Sequence, residues 1–395
     1  MYLARRLAST LATALDQFPS VLITGPRQSG KTTFVREELG GSFAFVTFDD
    51  PLEREFATQD PRGFLGRFGD RPAILDEIQY VPELLSYLKM RIDEARDWHG
   101  RWVLTGSQQF ELMQQVTESL AGRVAVLELL PLSGEELAGV GDESLEHRLW
   151  IGGYPEIALA PEKRDLWTSS YLRTYVERDV RMVRNIGDLR AFESFLAVCA
   201  ARHGQTLNMA AISRQLGITS PTVKDWISVL EASYGMCLLP PWHRNYGKRV
   251  IRSPKAYFLD PVLATALTRQ PDAEASLRGP LGGPLLEGWI VAEAIKSFAN
   301  RGLRPAVFHW RSHDGLEVDL LVDVGGKLQP VEIKATATPR AGHLAPMNRF
   351  RTLVGDDATG SGLLVCGVAE PTPMPGGNLA LPWSQFGEWL DERLA

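Results

Sequence analysis

The stretch Gly25-Pro-Arg-Gln-Ser-Gly30-Lys31-Thr32 satisfies GxxxxGK[ST] at every fixed position. Glycines so spaced let backbone N–H groups turn toward phosphate oxygens at a helix N-terminus. Lys31 would then reach the β- and γ-phosphates of ATP, and Thr32 would hold Mg²⁺ through its hydroxyl. The expected nucleotide-binding stretch is Gly25, Pro26, Arg27, Gln28, Ser29, Gly30, Lys31, Thr32 and Thr33. A second apolar run, Arg71-Pro-Ala-Ile-Leu, ends in Asp76 and Glu77. Asp76 is placed to hold the water shell of Mg²⁺, and Glu77 to orient or deprotonate the attacking water. A third run ends Thr105-Gly106-Ser107, where one of the two hydroxyls is placed to sense the γ-phosphate, or the segment is a simple turn. Arg123, just after Gly122, reads either as an arginine finger toward a neighbouring subunit or as a cation at a helix C-terminus.

A different chemistry is spelled near the other end. In Gln329-Pro-Val-Glu332-Ile-Lys334 the alternation of a strand turns Glu332 and Lys334 to the same side, with Ile333 behind them. Asp319, in a strand expected to pair with this one across Gly325-Gly326, can meet them over the ladder. With Glu287 on a preceding helix, the set resembles the PD-(D/E)xK nuclease core. The resemblance implies that the carboxylates bind one or two Mg²⁺ while Lys334 orients a water and offsets phosphate charge. The alternative is an inactive nuclease-like domain used for DNA binding or assembly.

Between these lies Asn208 to Leu230, with helix-turn-helix spacing. Ala211, Ile212 and Leu216 suit a short helix, Gly217 the turn, and Ser220-Pro221 the cap and first position of a second helix. Thr222 and Lys224 would face outward toward DNA, although Asp225 beside them repels phosphate. The following stretch holds Arg244, Lys248, Arg249, Arg252 and Lys255 without an acid, as suits a basic wing on phosphates. A packing or oligomerisation module is the other reading.

The elements that must position these groups follow from the pattern. Ser20–Thr24, residues 71–76 and residues 101–105 read as buried strands whose ends converge on one crevice of a parallel sheet. Leu3, Leu7, Leu11 and Leu15 recur as on an amphipathic helix. Arg5 and Arg6 before a small-apolar stretch imitate a signal peptide, but the phosphate loop follows at once, so a cytoplasmic chain is expected. Residues 163–186 read as a charged helical stretch, and the tail as a loop with a closing amphipathic helix around Trp383, Phe386, Trp389 and Leu390.

GPRQSGKTT, LDEIQ and TGSQ, followed by PLSGEE, GGYPE and YLRTYVERDV, resemble a prokaryotic AAA+-type ATPase family usually called simply "ATP-binding protein". In that family an ATPase module precedes a shared C-terminal region of unassigned function. The resemblance runs to about residue 340, and no sensor-2 arginine can be placed. It implies ATP binding and hydrolysis.

The 395 residues suggest two or three domains. With 44% hydrophobic and 23% charged residues, disorder as the main state is excluded; a net charge of −6 excludes a wholly basic nucleic-acid coat. Three scattered cysteines give no disulfide framework or zinc pattern, and no apolar run is long enough for a membrane helix. The expected fold is α/β throughout its enzymatic parts: an AAA+-type P-loop domain over 1–136, a helical region with a winged helix over 137–275, and a restriction-endonuclease-like domain over 276–395. The expected function is Mg²⁺-dependent ATP hydrolysis coupled to DNA binding or remodelling, in a ring or dimer without a membrane. An ATP-gated DNA nuclease and a nucleotide-switched scaffold or signalling ATPase acting on proteins are the alternatives.

Overall fold

The computed structural model describes residues 1–107, 116, 118–174, 188–243, 253–355 and 358–394. These form two compact units: Met1–Leu132 with Ala299–Leu303, and Ser133–Phe298 with Arg304–Ala395. The expected domains 137–275 and 276–395 thus lie almost wholly within one unit. Arg244, Lys248, Arg249 and Arg252, most of the expected helix over 110–120, and residues 175–187 lie outside the described residues.

The first unit is built on a five-stranded, wholly parallel sheet: β1 (Ser20–Thr24), β2 (Ala44–Thr47), β3 (Ala73–Asp76), β4 (Trp102–Thr105) and β5 (Val124–Glu128). The spatial order is β2-β3-β4-β1-β5. The three inner strands are buried along their whole length, as continuous apolar runs in a two-sided sheet must be. Their side chains divide with period two. Leu22, Leu75 and Leu104 face a core with Phe48, Phe64 and Leu88; Val21, Ile23, Ile74 and Val103 face another with Leu7, Leu11 and Phe34. Each such side chain contributes roughly 1.5–3 kcal/mol when fully buried. The helix Leu7–Gln17 covers the second face through Leu7, Leu11 and Ala14. Because β4 inserts between β1 and β3, the ends of three strands carrying Thr24, Thr105 and Asp76 line up at one edge.

The second unit opens with helices. Leu189–Ala201, Met209–Leu216 and Ser220–Ala232 precede an antiparallel pair, β6 (Met236–Leu239) with β7 (Lys255–Phe258). Gly217 takes the left-handed turn between the second and third helices, and Val223, Trp226, Ile227 and Leu230 point inward. The cap of the third helix is not Ser220 but Thr219, whose extended backbone lets its hydroxyl accept from Thr222 N; Ser220 is already helical.

A long helix, Gly282–Ala299, leads to a six-stranded mixed sheet of order β12-β13-β11-β10-β9-β8. Its strands are β8 (Val307–Arg311), β9 (Glu317–Val324), β10 (Lys327–Ile333), β11 (Leu363–Cys366), β12 (Thr372–Met374) and β13 (Asn378–Pro382). β8, β9 and β10 form an antiparallel meander, with a two-residue turn, Gly325-Gly326, between β9 and β10. β11 runs parallel to β10, and the helix Ala345–Val354 packs Met347 and Phe350 against Trp310, Val318 and Leu364. No helix among the described residues is long and apolar enough to cross a membrane.

The helix Gly282–Ala299 sits so close to its neighbours that a Cβ on Gly288 would lie 2.1 Å from His203 Nε2 and 3.2 Å from Tyr257 Cδ1. Glycine here sets how closely Glu287, one residue earlier, approaches β7. Gly288→Ala is therefore expected to destabilise the chain by about 1–3 kcal/mol, the usual cost of forcing a methyl into a packed core. Urea denaturation measures it, and an unchanged midpoint would contradict this packing.

Candidate functional site

In the first unit the phosphate loop leaves β1 at Gly25, whose φ of +144° and approach to Leu129 leave no room for a side chain: a Cβ there would lie 2.2 Å from the carbonyl oxygen. Gly30 takes the left-handed N-cap of the helix Lys31–Leu39, and Gln28 is also left-handed. Pro26 and Ser29 are buried, Arg27 half-buried, and Gln28 and Thr33 exposed. Lys31, only 6% exposed, donates through Nζ to the carbonyls of Gly25 (3.1 Å) and Pro26 (2.9 Å). The loop is also held from outside. Arg5, buried, donates to Ser29 O (3.0 Å) and Leu130 O (2.6 Å), tying the loop to the exit of β5.

The acids meet this loop directly. Asp76, 2% exposed at the tip of β3, accepts on Oδ1 from Thr32 Oγ1 (2.8 Å) and Thr105 Oγ1 (2.6 Å). Thr105 in turn accepts from Glu77 N at 3.2 Å. Glu77 is left-handed at φ +59°, and its Oε2 accepts from the Gln79 amide. The two hydroxyls of the Thr105-Gly106-Ser107 end differ in their bonding. Thr105 is committed to the acid pair, while the buried Ser107 Oγ has no hydrogen bond among the described residues. Arg123 lies away from this edge, bidentate on Asp93 (2.7 and 3.0 Å) and donating to Ala121 O (3.1 Å). The hydrogen-bonded guanidinium holds the Asp93 carboxyl below its usual range.

The second unit gathers another set of charges. Lys334 Nζ lies 2.6 Å from Glu332 Oε1 and 3.2 Å from Asp319 Oδ2, and Asp319 Oδ2 also accepts from Ile333 N (2.9 Å). Glu287 Oε1 accepts from Lys255 Nζ (2.6 Å) and Tyr257 Oη (2.5 Å), and Lys255 also pairs with Glu317. Carboxylate oxygens of Glu287, Glu317 and Asp319 lie within 4.8 Å of one another. The structure thus brings Asp319, Glu332 and Lys334 together, sets Glu287 beside them, and adds Lys255, Tyr257 and Glu317, which the sequence reading had not included. Lys255 corrects that reading: it was grouped with the basic wing, yet it is buried and bonded to acids. Alternation along β7 and β9, Lys255 with Tyr257 and Glu317 with Asp319, was the available signal. Of the described outward residues on the helix Ser220–Ala232, Lys224 is exposed; Thr222 is half-buried, with its hydroxyl 2.7 Å from that of Thr219.

Burial, with Asp319 beside it, raises the Glu332 carboxyl from 4.5 to about 8, and burial with the same neighbour raises Glu287 to about 7. The unfolded chain releases these protons near 4.5, so across the interval the folded chain binds more protons and loses stability as pH rises. Glu332→Gln removes one such group. Its stability relative to wild type is expected to climb between about pH 4.5 and 8 and level off above. Parallel curves of denaturation midpoint against pH would contradict the assignment.

Family models match three successive stretches, the last two lying almost wholly within the second unit. An AAA domain matches residues 17–138, a domain of unknown function (DUF8612) residues 142–274, and another (DUF4143) residues 282–386. The uncharacterized proteins Mb2031c of Mycobacterium bovis and Rv2008c of Mycobacterium tuberculosis are each 34% identical over 341 residues, covering 85% of this chain and 74% of theirs. Among solved structures, the Walker-type ATPase PABY2304 of Pyrococcus abyssi is 17% identical, with a TM-score of 0.45 over 67% of this chain and 96% of that one. The chain belongs to the family that includes the two mycobacterial proteins, and it carries an AAA-type P-loop domain followed toward its C-terminal end by a DUF4143 domain.

Proposed function

We propose that the chain hydrolyses ATP with Mg²⁺ and couples the hydrolysis to binding or remodelling of DNA. The observation that carries the first half is the convergence of Thr32, Asp76 and Glu77 at one sheet edge, linked through Asp76 Oδ1 and Thr105, with Lys31 directly before Thr32 on the phosphate loop. Thr32 Oγ1 and Asp76 Oδ1, two hard oxygens 2.8 Å apart, suit Mg²⁺ as donors, directly or through its water shell. Bound there, Mg²⁺ would neutralise charge developing on the β- and γ-phosphates. Lys31 exchanges the carbonyls of Gly25 and Pro26 for phosphate oxygens. Glu77, fixed by its backbone bond to Thr105, orients the attacking water, and Ser107 contacts the γ-phosphate. Arg123 acts as a finger only by exchanging Asp93 for a neighbouring subunit's γ-phosphate, so self-association enters the reading through that exchange.

The DNA half rests on the second unit. Three helices and the β6–β7 pair support a winged-helix reading, with Thr222 and Lys224 on the recognition helix and Arg244, Lys248, Arg249 and Arg252 on the wing. A cavity of about 450 Å³ lined in part by Arg311, Arg349 and Asp314 offers two guanidinium groups for phosphate, beside one acid. The modules 1–136, 137–275 and 276–395 are supported by the three matched stretches. A cytoplasmic location belongs to the same reading.

A second reading, an ATP-gated DNA nuclease with a restriction-endonuclease-like domain, is favoured by the meeting of Asp319, Glu332 and Lys334 beside Glu287. The two readings separate in one set of assays. Lys31→Ala should abolish ATP turnover, and Glu77→Gln should retain ATP binding while turnover falls on the order of a hundredfold or more. Glu332→Ala should keep full ATPase activity and lose any metal-dependent cutting of DNA. Wild-type turnover in Lys31→Ala would sink the first reading; cutting that survives Glu332→Ala would sink the second.

A further inference from the structure

The carboxylate centre of the second unit already contains a cation, and it belongs to the chain. Lys255 opens β7, where its backbone is paired with Leu239 and bridged to Thr206. Its side chain, 6% exposed, carries Nζ to Glu287 at 2.6 Å and to Glu317. Those are two of the three residues whose carboxylate oxygens cluster within 4.8 Å. The third, Asp319, is bonded to Lys334. A further acceptor is present: Glu332 shares Lys334 with Asp319 through Oε1, while Oε2, in a side chain 4% exposed over the residue, has no hydrogen-bond partner among the described residues.

An ammonium and a divalent ion seek the same oxygens and repel each other, so they compete for the cluster. We propose that Lys255 is a built-in competitor for divalent cations at the Glu287–Glu317–Asp319 centre, so that Mg²⁺ or Mn²⁺ binds there only when Lys255 withdraws. The inference rests on the reading of this cluster as a cation centre and adds a residue that controls occupancy.

The test is Mn²⁺ binding by the full chain without nucleotide, read from the loss of the free-Mn²⁺ electron paramagnetic resonance signal. Wild type should bind weakly; Lys255→Met should gain a site at least about tenfold tighter, as expected when a nearby positive charge is removed. The gained site should vanish in the double variant Lys255→Met/Glu287→Gln. Where Lys255→Met does not fold, Lys255→Gln keeps a polar group in place of the ammonium, leaves all three carboxylates intact, and should still bind Mn²⁺ more tightly than wild type. Equal, Glu287-dependent affinity in wild type and the Lys255 variants would overturn the inference and leave the cation centre standing. Absence of Glu287-dependent binding in all of them would overturn both.

Discussion

The first unit depends on one buried carboxylate. Asp76 stands at the tip of β3 with a single oxygen bonded to hydroxyls from the phosphate-loop helix and from β4. Hydrogen bonds to a charged acceptor contribute about 1.5–3 kcal/mol each, and a buried charge left without them costs more than that. Strand order, phosphate loop and acid pair are therefore mutually constraining. Only with β4 between β1 and β3 can Thr105 reach Asp76 on one side and steady the backbone of Glu77 on the other. Arg5 completes the arrangement by tying the loop to the strand beyond it.

The second unit solves a different electrostatic problem. Glu287, Glu317, Asp319 and Glu332 crowd one end of a sheet, and two lysines and a tyrosine answer them. Buried ion pairs of this kind add little net stability, because desolvation offsets the attraction, but breaking one partner is costly. Their effect is to fix position. Lys255 binds β7 to the long helix and to β9, so the helical part and the sheet share one charge network. Burial, with Asp319 beside them, raises the carboxyls of Glu287 and Glu332, so the folded chain loses stability as pH rises through their titration.

Much of this was legible in the chain. The phosphate loop is contiguous, and its glycines, lysine and threonine state their chemistry by spacing alone. Strand tips ending in Asp76 and Thr105 were readable because inner strands of a parallel sheet must be apolar throughout. Alternation placed Glu332 and Lys334 on one side, and the turn Gly325-Gly326 brought Asp319 opposite. What stayed hidden depends on distant pairing. Arg5 looked like a leader charge because its acceptors, Ser29 and Leu130, are remote in sequence. Lys255 looked like one more wing cation because its acids are 32 and 62 positions away. Arg123 could be read as a finger or a cap, since Asp93 becomes its partner only in the folded sheet. That Asp76 holds the Thr105 hydroxyl while the Ser107 hydroxyl has no such bond is likewise visible only in the fold.

Under the proposed function, nucleotide turnover at the Asp76 edge answers to DNA bound by the same chain. Its most direct test is the Mg²⁺-dependent ATP hydrolysis rate of the wild-type protein, titrated in turn with single-stranded, duplex and branched DNA. The basal rate should rise markedly and saturably with one of these forms. Robust basal turnover that no form of DNA alters would contradict it and direct attention to protein partners instead.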